Sequence, residues 1–504
     1  MDFHSKVFAK LVFCAWLLIN HSGGHPISCK YLNLRQQLIK EEEQLSFGAN
    51  ITLLGDEIAA NECVMRIKKN EVNEAFNNPE KFLPAKNFME ARRDIEKSDV
   101  FKILWKMPKG GVFHAHSTAI ADLDYLVYNV TRLPNLYVCS KDEDDYRFKF
   151  FENPDDSCDW VLLKHLEDAN SYVEENIRNY NLKIKSKYDN SDEAWKIFNK
   201  IYETLRGIVK YRPVFEEYFY KALQKLYDDN VMFMEMRTSL GMMYELNGTK
   251  HEPLDIIRIY KEVSDRFIQS HPDFLGIKII FAPKRRSTPK KFSAAIEIFK
   301  KVKAAYPDLV VGFDLVGQED KGHPLLEFAN ELQELSNITS FYFHAGETNW
   351  YGTSSDYNLY DAILLNTKRI GHGYALLKHP KLMEIVKKRN IAIELNPISN
   401  QILHLLQDMR NHPASYFFAE NFPVVVSNDD PSYWDAQGLS YDFYETFVGI
   451  MSREADLRAL KQLAINSIVY SSLNADEQKR AFQIFDNSWR TFVANLIDSP
   501  MCNR

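Results

Sequence analysis

The sequence is poor in the features that mark several large classes of protein. Its 504 residues include only 6 cysteines and 19 glycines, and acids and bases are interspersed to a net charge of −7. Surfaces that bind nucleic acid need clustered positive charge, so nucleic-acid binding is disfavoured. No glycine-rich phosphate loop follows a predicted strand, and no run has the length of a transmembrane helix. With 45% hydrophobic and 26% charged residues, a globular protein with a large core is expected.

The N-terminus carries one short apolar run. Lys6 and Lys10 precede the segment 11–19, LVFCAWLLI, and the small and polar residues NHSGGHP follow it. This order predicts a cleaved secretory signal peptide over residues 1–24. A membrane anchor is the alternative, but the run is short for a bilayer. We therefore expect a secreted, extracellular protein without a membrane span.

Secretion makes disulfides and glycans expected. Removal of the signal peptide removes one of the 6 cysteines. The number left is odd, so at least one cysteine has no disulfide partner within the chain. Cys139 and Cys158 bracket a compact polar segment, so a local disulfide is the favoured pairing and two free thiols are the alternative. The partners of Cys29, Cys63 and Cys502 stay open. N-glycosylation motifs begin at Asn50, Asn129, Asn247 and Asn337.

The chain divides into two patterns. Residues 25–100 are polar with apolar residues at helical spacing, which predicts an N-terminal helical extension whose apolar faces need a partner. Later, eight short β-rich runs alternate with amphipathic segments. The runs span 111–117, 231–237, 276–282, 310–317, 340–347, 369–373, 391–397 and 423–431. Eight such units predict an α/β fold, a (β/α)8 TIM barrel over residues 101–504, with an open doubly wound sheet as the less favoured alternative.

One connection is much longer than a single helix requires. The first two predicted strands are separated by the segment that holds Cys139, Cys158 and the Asn129 glycosylation motif. We interpret residues 127–187 as a surface insertion after strand one, stapled by the local disulfide.

Two histidines lie on the first predicted strand. In GGVFHAHS, His114 and His116 are two residues apart, so on a strand both point to the same side. Paired imidazoles suit a zinc ion better than an apolar core, although HxH alone is a weak signal.

The other strand ends strengthen that interpretation. Strand five ends with His344 and Glu347 in FHAGET, strand six with His372 in RIGHG, and strand eight with Asp429 and Asp430 in SNDDP. The C-terminal strand ends of a TIM barrel converge on one site, so these side chains would meet the HxH pair. Singly, each has a structural explanation as a cap or a hydrogen-bonded polar residue. Six further histidines of the helices and loops are interpreted as solvated or capping: His165, His251, His271, His379, His404 and His412.

The motifs HAH, HAGE, RIGHG and SNDDP, in this order, resemble the adenosine deaminase and adenosine deaminase-related growth factor family. The signal peptide, helical extension and insertion are similar to its secreted growth-factor branch, so the resemblance covers nearly all of the mature chain. It implies one zinc ion per chain and hydrolysis of adenosine and 2′-deoxyadenosine. It also implies a homodimer formed through residues 25–100 and growth-factor-like action on a cell-surface receptor or glycan.

The resemblance implies a role for each site residue. Glu347 matches the proton donor to purine N1, and His372 matches the base that handles the water on the metal. Asp430 matches the residue that bonds purine N7, and Gly317 the backbone N–H that meets N3. The segment from Trp195 to Tyr202 resembles a ribose-side segment. The matched zinc ligands are His114, His116, His344 and Asp429.

The chemistry of deamination agrees with this assignment. Zinc lowers the pKa of a bound water toward neutrality, and attack on the aromatic ring needs a proton at N1. Glu347 lies three residues beyond a ligand, and a desolvated pocket with an anionic neighbour is expected to raise its pKa. The H-x-E and P-C-x-x-C signature of another zinc deaminase fold is absent from the sequence.

Two positions depart from the family pattern. Ser117 and Thr118 follow HAH where an aspartate able to meet the ribose is common, and the nearest acid is Asp122. Lys284 in FAPKRR lies where a different pocket-side residue is expected. Both departures leave the ribose contacts open.

Three alternatives remain at this point. An AMP deaminase would need a basic phosphate clamp, and a binuclear hydrolase usually has a bridging lysine on strand four, which GFDLVG lacks. A receptor-binding growth factor could use the barrel as a scaffold.

Overall fold

The computed structural model describes residues 27–121, 123–140, 146–166, 169–173, 188–436 and 438–503. The predicted signal peptide, Asp122 and part of the predicted insertion lie outside these residues. The four predicted glycosylation asparagines lie within them, and all are exposed.

Eight parallel strand positions form a closed barrel. In chain order they are β1 (Gly110–His116), β2 (Val231–Thr238), β3 (Ile277–Phe281), β4 (Val310–Phe313), β5 (Ser340–Phe341 and His344–Ala345), β6 (Arg369–His372), β7 (Ala392–Leu395) and β8 (Val424–Val426). Each pairs with the next along the chain. The ring closes beyond β8, where the Asp429 N–H donates to the His114 carbonyl over 2.8 Å and the His116 N–H to the Asp429 carbonyl over 3.1 Å. The predicted TIM barrel is confirmed.

Each predicted run contains an observed strand, but several runs extend beyond the C-terminal end of that strand. The fourth run extends to residue 317, whereas β4 ends at Phe313, and the eighth extends to residue 431, whereas β8 ends at Val426. Apolar composition does not reveal where hydrogen bonding to the neighbouring strand stops. The surplus residues form the loops at the C-terminal face, where TIM barrels carry their sites.

The helices surround the barrel and begin at recognisable signals. Asn190 caps one helix through its side chain, Asn474 and Glu477 form a capping box on another, and proline opens several more. The α-helices span Cys29–Leu45, Asp56–Asn77, Phe88–Ile95, Asp99–Lys106, Leu123–Tyr128, Ala169–Val173, Ser191–Val209, Arg212–Asp228, Pro253–Ser270, Pro289–Ala305, Ala329–Leu335, Ser354–Leu364, Pro380–Arg389, Pro397–Ile402, Ala414–Ala419, Ser440–Tyr444, Leu457–Val469 and Ala475–Ile497. Shorter 3-10 turns span Pro79–Lys81, Leu83–Ala85, Val130–Arg132, Leu163–His165, Leu325–Phe328, Tyr374–Lys378, Met409–Asn411 and Pro431–Trp434, and Glu445–Ile450 is a π-helical segment.

The long connection after β1 contains a small antiparallel sheet. Its central strand, Leu136–Ser140, pairs with Tyr146–Phe150 on one side and Val161–Leu162 on the other. The predicted disulfide between Cys139 and Cys158 joins two points of this unit, with the Cα atoms 6.2 Å apart. A two-stranded hairpin, Met243–Tyr244 with Lys250–His251, follows β2.

The N-terminal helices differ in how they are packed. A second disulfide, Cys63–Cys502, ties helix Asp56–Asn77 to the C-terminal end of the chain, while Cys29 is free and exposed. Helix Cys29–Leu45 buries none of its residues and leaves apolar side chains such as Leu34 and Leu38 in solvent. Among the described residues, no helix combines the length and hydrophobicity needed to cross a membrane.

Candidate active site

Four side chains converge at the C-terminal face of the barrel with the geometry of a metal site. The donor atoms of His114, His116, His344 and Asp429 all lie within 4.8 Å of one another. The Nε2 atoms of His114 and His344 are 2.8 Å apart, and Asp429 Oδ1 is 3.0 Å from His116 Nε2 and 3.6 Å from His114 Nε2. Ligands at the corners of a tetrahedron around zinc are separated by roughly 3.4 Å. The four donors therefore match the size of a zinc coordination shell.

Buried carboxylates orient two of these histidines. Nδ1 of His114 lies 2.8 Å from Glu394 Oε2, and Nδ1 of His344 lies 2.6 Å from Asp314 Oδ2. A carboxylate accepts the Nδ1 hydrogen, so both Nε2 atoms present lone pairs to the same point. Burial lowers the pKa of His114 well below its usual value, so that ring stays neutral. Two lone pairs 2.8 Å apart repel unless a cation lies between them, and this donor arrangement therefore fits a bound metal ion.

A buried ionic network holds the orienting carboxylates in place. The Arg237 guanidinium donates to Asp314 over 2.7 Å and to Glu394 over 2.7 Å. Arg369 bonds the other oxygen of Glu394 and also Glu235, each over 2.6 Å. All five side chains are essentially inaccessible to solvent. Each of these groups has at least two partners, which for Glu235 are Arg369 and the Ser472 backbone N–H, so the network is fixed and so are the rings that it orients.

Glu347 lies beside the metal donors in a setting that favours its protonated form. Burial raises the pKa of Glu347 well above its usual value, and the charges of Asp429 and Glu319 raise it further. This agrees with the expectation from sequence of a raised pKa. Its backbone N–H is fixed by a 2.7 Å hydrogen bond to Glu319. Glu347 can therefore donate a proton from a fixed position.

Asp430, next to the metal donor Asp429, has a similar environment. Burial raises the pKa of Asp430 well above its usual value, and the adjacent Asp429 adds to the shift by charge and by a shared hydrogen bond. The pKa of Asp429 is shifted in the opposite direction. Burial would raise its pKa, but the hydrogen bond and charge of His116 bring it below the usual range. Asp429 is thus suited to bind a cation, and Asp430 is suited to donate a hydrogen bond.

His372 faces the same cluster from β6. Its Nε2 lies 3.5 Å from Glu347 Oε1 and 3.6 Å from Asp429 Oδ2, and it is buried with no hydrogen-bond partner among the described residues. His372 and Asp429 both have positive φ, 62° and 58°, in the left-handed region that non-glycine residues rarely adopt. Such strain is typical of residues held in place for function.

A chain of hydrogen bonds fixes the tautomer of His372. The backbone N–H of Ala414 donates to His412 Nδ1 over 3.0 Å, so the His412 hydrogen is on Nε2. That Nε2 lies 3.0 Å from Asn400 Oδ1, and the amide nitrogen of Asn400 lies 3.0 Å from His372 Nδ1. Burial lowers the pKa of both rings to about 3, so both are neutral. His372 therefore carries its hydrogen on Nε2, where it points at the cluster.

The surroundings of the buried histidines bear on two expectations from the sequence. His412 is buried and not solvated, and its ring caps helix Ala414–Ala419 by accepting from the first N–H of that helix. His251 and His379 are also buried, each paired with a carboxylate. A neutral His372 with hydrogen on Nε2 is a hydrogen-bond donor toward the cluster, and its role as base stays a prediction.

The cluster opens into a cavity of about 460 Å³, a volume typical of small-ligand sites. Gly317 lines it with φ +100°, and no atom lies within 4 Å of where a Cβ would stand, so its backbone is open to the cavity. Trp195 and Tyr202, from helix Ser191–Val209, line the same cavity, as do Ser117 and Lys284. The structure thus brings together every residue that the sequence assigned to metal, catalysis or substrate.

The supporting residues that sequence reasoning missed lie behind the metal and catalytic side chains, and of these only Arg237 also reaches the cavity wall. They are Arg237, Asp314, Glu394, Asn400 and His412. A signal was present for Arg237, Asp314 and Glu394, since a charged residue inside a predicted apolar run must be paired once that run is buried. Asn400 and His412 have no comparable signal, because amides and imidazoles are common in loops.

Solved structures with the same barrel fold include an amidohydrolase and a deaminase. An amidohydrolase from Burkholderia ambifaria with bound Zn superposes with a TM-score of 0.56 at 17% identity, over 79% of this chain and 95% of that one. An N6-mAMP deaminase from Arabidopsis gives a TM-score of 0.54 at 15% identity, over 77% and 99%. At these identities the likeness defines the fold alone.

The family follows from closer similarities. Residues 175–487 match the family model described as adenosine deaminase, and residues 11–104 match the one described as adenosine/AMP deaminase N-terminal. The chain is 40% identical over 476 residues to an adenosine deaminase of Aedes albopictus, covering 93% of this chain and 89% of that one. It is 39% identical over 476 residues to adenosine deaminase 2 of Homo sapiens, covering 92% and 93%. The chain belongs to the adenosine deaminase family and is an enzyme of that family.

Proposed function

We propose that the protein is a secreted zinc-dependent adenosine deaminase that hydrolyses adenosine and 2′-deoxyadenosine to the inosine nucleosides and ammonia. One zinc ion per chain is held by His114, His116, His344 and Asp429. The observation that carries the proposal is the facing pair of Nε2 atoms on His114 and His344, closed by Asp429 and bordered by Glu347, whose pKa burial raises well above its usual value.

The residues around the ion divide the reaction among them. The zinc ion, when bound, supplies hydroxide at neutral pH by lowering the pKa of a water molecule. Glu347 donates its proton to purine N1, which removes the aromatic character that opposes attack at C6. His372 donates its Nε2 hydrogen to the attacking oxygen, which orients the oxygen and stabilises charge that develops on it.

The purine is oriented by two further contacts. The protonated Asp430 donates to N7, and the Gly317 backbone N–H donates to N3. Together with Glu347 at N1, these three donors read three nitrogen acceptors of the purine, so a pyrimidine cannot satisfy them. Trp195 and Tyr202 lie on the wall that the ribose would face.

The test is turnover of adenosine by the purified full chain, followed by the loss of adenosine absorbance. Turnover that disappears with a chelator and returns with zinc is expected. Glu347→Gln keeps the shape but not the proton, so we expect zinc content to be unchanged and kcat to fall by about 10²–10⁴. Full activity of Glu347→Gln would reject the proton-donor role, and chelator-resistant turnover would reject the zinc site.

Secretion is proposed from the sequence of residues 1–24 and is supported by two disulfides and four exposed glycosylation motifs. We expect the protein in the culture medium to begin near residue 25 and to lose mass on treatment with an N-glycosidase. Retention of the full N-terminus in the cell fraction would reject a cleaved signal.

A homodimer formed through residues 25–100 is proposed because helix Cys29–Leu45 buries none of its residues. Its apolar side chains Tyr31, Leu34, Leu38 and Leu45 recur near helical spacing on the exposed surface. Leu34→Glu with Leu38→Glu should halve the mass measured by sedimentation. The matched double change Arg35→Glu with Lys40→Glu, on the same helix, should leave it unchanged.

Growth-factor-like action on a cell-surface receptor or glycan is a second proposal. It is favoured by the antiparallel sheet of the predicted insertion, which lies outside the barrel and forms no part of the catalytic cluster. A Glu347→Gln protein that still stimulated cells would separate signalling from catalysis. If stimulation disappeared together with turnover, it would arise from adenosine removal and the receptor proposal would fail.

A further inference from the structure

The proton donor Glu347 lies beyond the end of its strand. β5 pairs with β6 only as far as Ala345, and Glu347 follows two residues later. Gly346 turns the chain between them with φ +75°, and a Cβ at this position would stand 2.9 Å from the side chain of Leu359, so the turn requires glycine. The sheet therefore does not fix the backbone of Glu347, although a proton donor must be held within hydrogen-bond reach of the atom that it protonates.

A single buried carboxylate, that of Glu319, holds this turn. Its Oε1 accepts the Gly346 N–H over 3.0 Å, and its Oε2 accepts the Glu347 N–H over 2.7 Å. The Glu319 side chain is 3% exposed and lies outside the lining of the cavity. Two charge-assisted hydrogen bonds from one carboxylate to successive N–H groups fix both the position and the orientation of the turn.

The Glu319 carboxylate is itself held from behind. The amide nitrogen of Asn358 donates to Glu319 Oε1 over 2.7 Å, and Asn358 Oδ1 accepts the Leu325 N–H over 2.7 Å. Asn358 belongs to helix Ser354–Leu364 and is fully buried. Both oxygens of Glu319 are thus paired inside the protein, where a satisfied polar network is rigid. The turn at Glu347 is therefore fixed to the helix that follows it.

Glu319 also joins the two loops that meet the purine in the proposed function. Gly317, which lines the cavity, precedes Glu319 by two residues on the loop after β4, and Glu347 lies on the loop after β5. Asp320 joins the same two loops one residue further along, since its Oδ1 accepts from the Thr348 hydroxyl over 2.6 Å. The separation between the N3 contact and the N1 proton donor is therefore set by carboxylates behind the cavity.

We propose that Glu319 is a positioning residue for catalysis, which holds Glu347 where its proton reaches purine N1. The inference rests on the proposed function, because it concerns a step that Glu347 performs there. Glu319 does not touch the substrate, and no bond to it forms or breaks. Its contribution is to kcat, because a displacement of about 1 Å at a catalytic group can lower the rate by about 10²-fold.

Two substitutions of Glu319 separate its position from its charge. Glu319→Gln keeps the size, but its amide has one acceptor oxygen, so its NH₂ group must face either the Glu347 N–H or the donors on Gly346 and Asn358. Glu319→Asp keeps the charge and withdraws the carboxylate by one methylene. We expect each to lower kcat for adenosine by about 10–100-fold, with KM changed by less than about threefold.

The test is a double-mutant cycle with Glu347→Gln, measured as adenosine turnover by the full chain. The proton donor is already absent from Glu347→Gln, so adding Glu319→Gln or Glu319→Asp should lower kcat further by less than about threefold. Zinc content should match wild type in every variant. Glu327→Gln is the matched control, an exposed carboxylate on the 3-10 turn that follows the same loop, and it should leave kcat unchanged in both backgrounds.

The outcomes distinguish this inference from the proposed function. If the wild-type protein does not convert adenosine, the proposed function fails. If it does, and both Glu319 variants keep the wild-type kcat, the positioning role is rejected and the proposed function stands. Full kcat in Glu319→Asp with a loss in Glu319→Gln would mean that charge matters and position does not, which overturns the inference.

The cycle adds one further way to fail. If the Glu319 substitutions cost as much in the Glu347→Gln background as in wild type, Glu319 does not act through Glu347 and the inference is overturned. Thermal unfolding checks the fold of each variant. If Glu319→Gln does not fold, the cycle with Glu319→Asp carries the test alone, because that variant retains a buried carboxylate.

Discussion

The substitution Asn400→Asp tests whether the tautomer of His372 matters for catalysis. In the folded chain the Asn400 amide donates to His372 Nδ1 over 3.0 Å, which leaves the Nε2 hydrogen directed at Glu347 and Asp429. A carboxylate at this position can only accept, so it draws a proton to Nδ1. In a neutral ring the Nε2 atom then has a lone pair where it had a hydrogen.

The expected effect depends on pH, and its sign follows from the charge of the ring. Burial lowers the pKa of His372 to about 3, although Asp429 opposes the shift, so the wild-type ring is neutral and donates from Nε2 across the working range. A neighbouring carboxylate raises that pKa. Below the raised value the variant's ring is doubly protonated and still donates from Nε2. Above it the Nε2 hydrogen is lost, so the kcat of the variant should fall as the pH rises.

The size of the loss follows from the role of a fixed donor. Removing one preorganised donor from a site that stabilises developing charge costs about 10²–10³ in kcat, or about 3–4 kcal/mol. Asn400→Ala should cost less, about tenfold, because the ring is then free to adopt either tautomer. KM should change little in either variant, since the donor acts on the attacking oxygen and not on the purine.

The assay is kcat and KM for adenosine from about pH 5 to about pH 9, with thermal unfolding as a check on the fold. Asn411→Asp, an exposed asparagine of the neighbouring 3-10 turn, is the matched control and should behave as wild type. An Asn400→Asp profile that runs parallel to wild type would refute the tautomer argument. A change in KM with kcat unaffected would also refute it.

Three further changes test the layers around the site. Asp314→Asn removes the acceptor of His344 Nδ1, so zinc affinity measured by chelator competition should fall by about 10–100-fold, and an unchanged affinity would contradict its orienting role. Glu445 is buried, lacks a hydrogen-bond partner among the described residues, and has a pKa raised by burial to about 8. Because the pKa of Glu445 is higher in the folded chain than in the unfolded chain, its contribution to stability is complete below the unfolded pKa of about 4.5 and is lost as the pH rises through about 8. Glu445→Gln should therefore be more stable than wild type by about 2–4 kcal/mol at alkaline pH and similar to wild type at acid pH. Cys63→Ala with Cys502→Ala should lower the free energy of unfolding by about 2–5 kcal/mol in chemical denaturation. Adenosine turnover in dilute buffer should stay near wild type, because neither cysteine lines the cavity.

The barrel could be predicted from sequence because its strands are buried on both faces. All eight residues of β2 are buried, as are the residues of β6, β7 and β8, so β2, β7 and β8 are mostly apolar segments bounded by polar loops, and the charged residues within β2 and β7 are paired. The site was predictable for a related reason. Histidines and acids at the ends of such runs stand out from their neighbours, and the topology alone brings those ends together.

The supporting residues could not be found in the same way. The disulfide Cys63–Cys502 joins positions separated by 439 residues, and pairing over that distance depends on the packing of the terminal helices. The directions of the hydrogen bonds among Ala414, His412 and Asn400 depend on loop geometry that no local pattern encodes. Lys284 was visible only as a departure from a family pattern, and that it lines the cavity required the folded structure.

The contacts between the arginine–carboxylate network and the metal-binding histidines show why a buried ionic network is compatible with a metal centre here. Burying Arg237 and Arg369 is costly, and well-packed apolar residues in their place would often give an equally stable or more stable barrel. Their partners Asp314 and Glu394, however, are also the acceptors that hold His344 and His114 with Nε2 toward one point. Apolar substitutes could fill the same volume but could not fix two imidazole tautomers. The network therefore makes sense as an orienting device, whose loss should appear first in metal affinity and only second in stability.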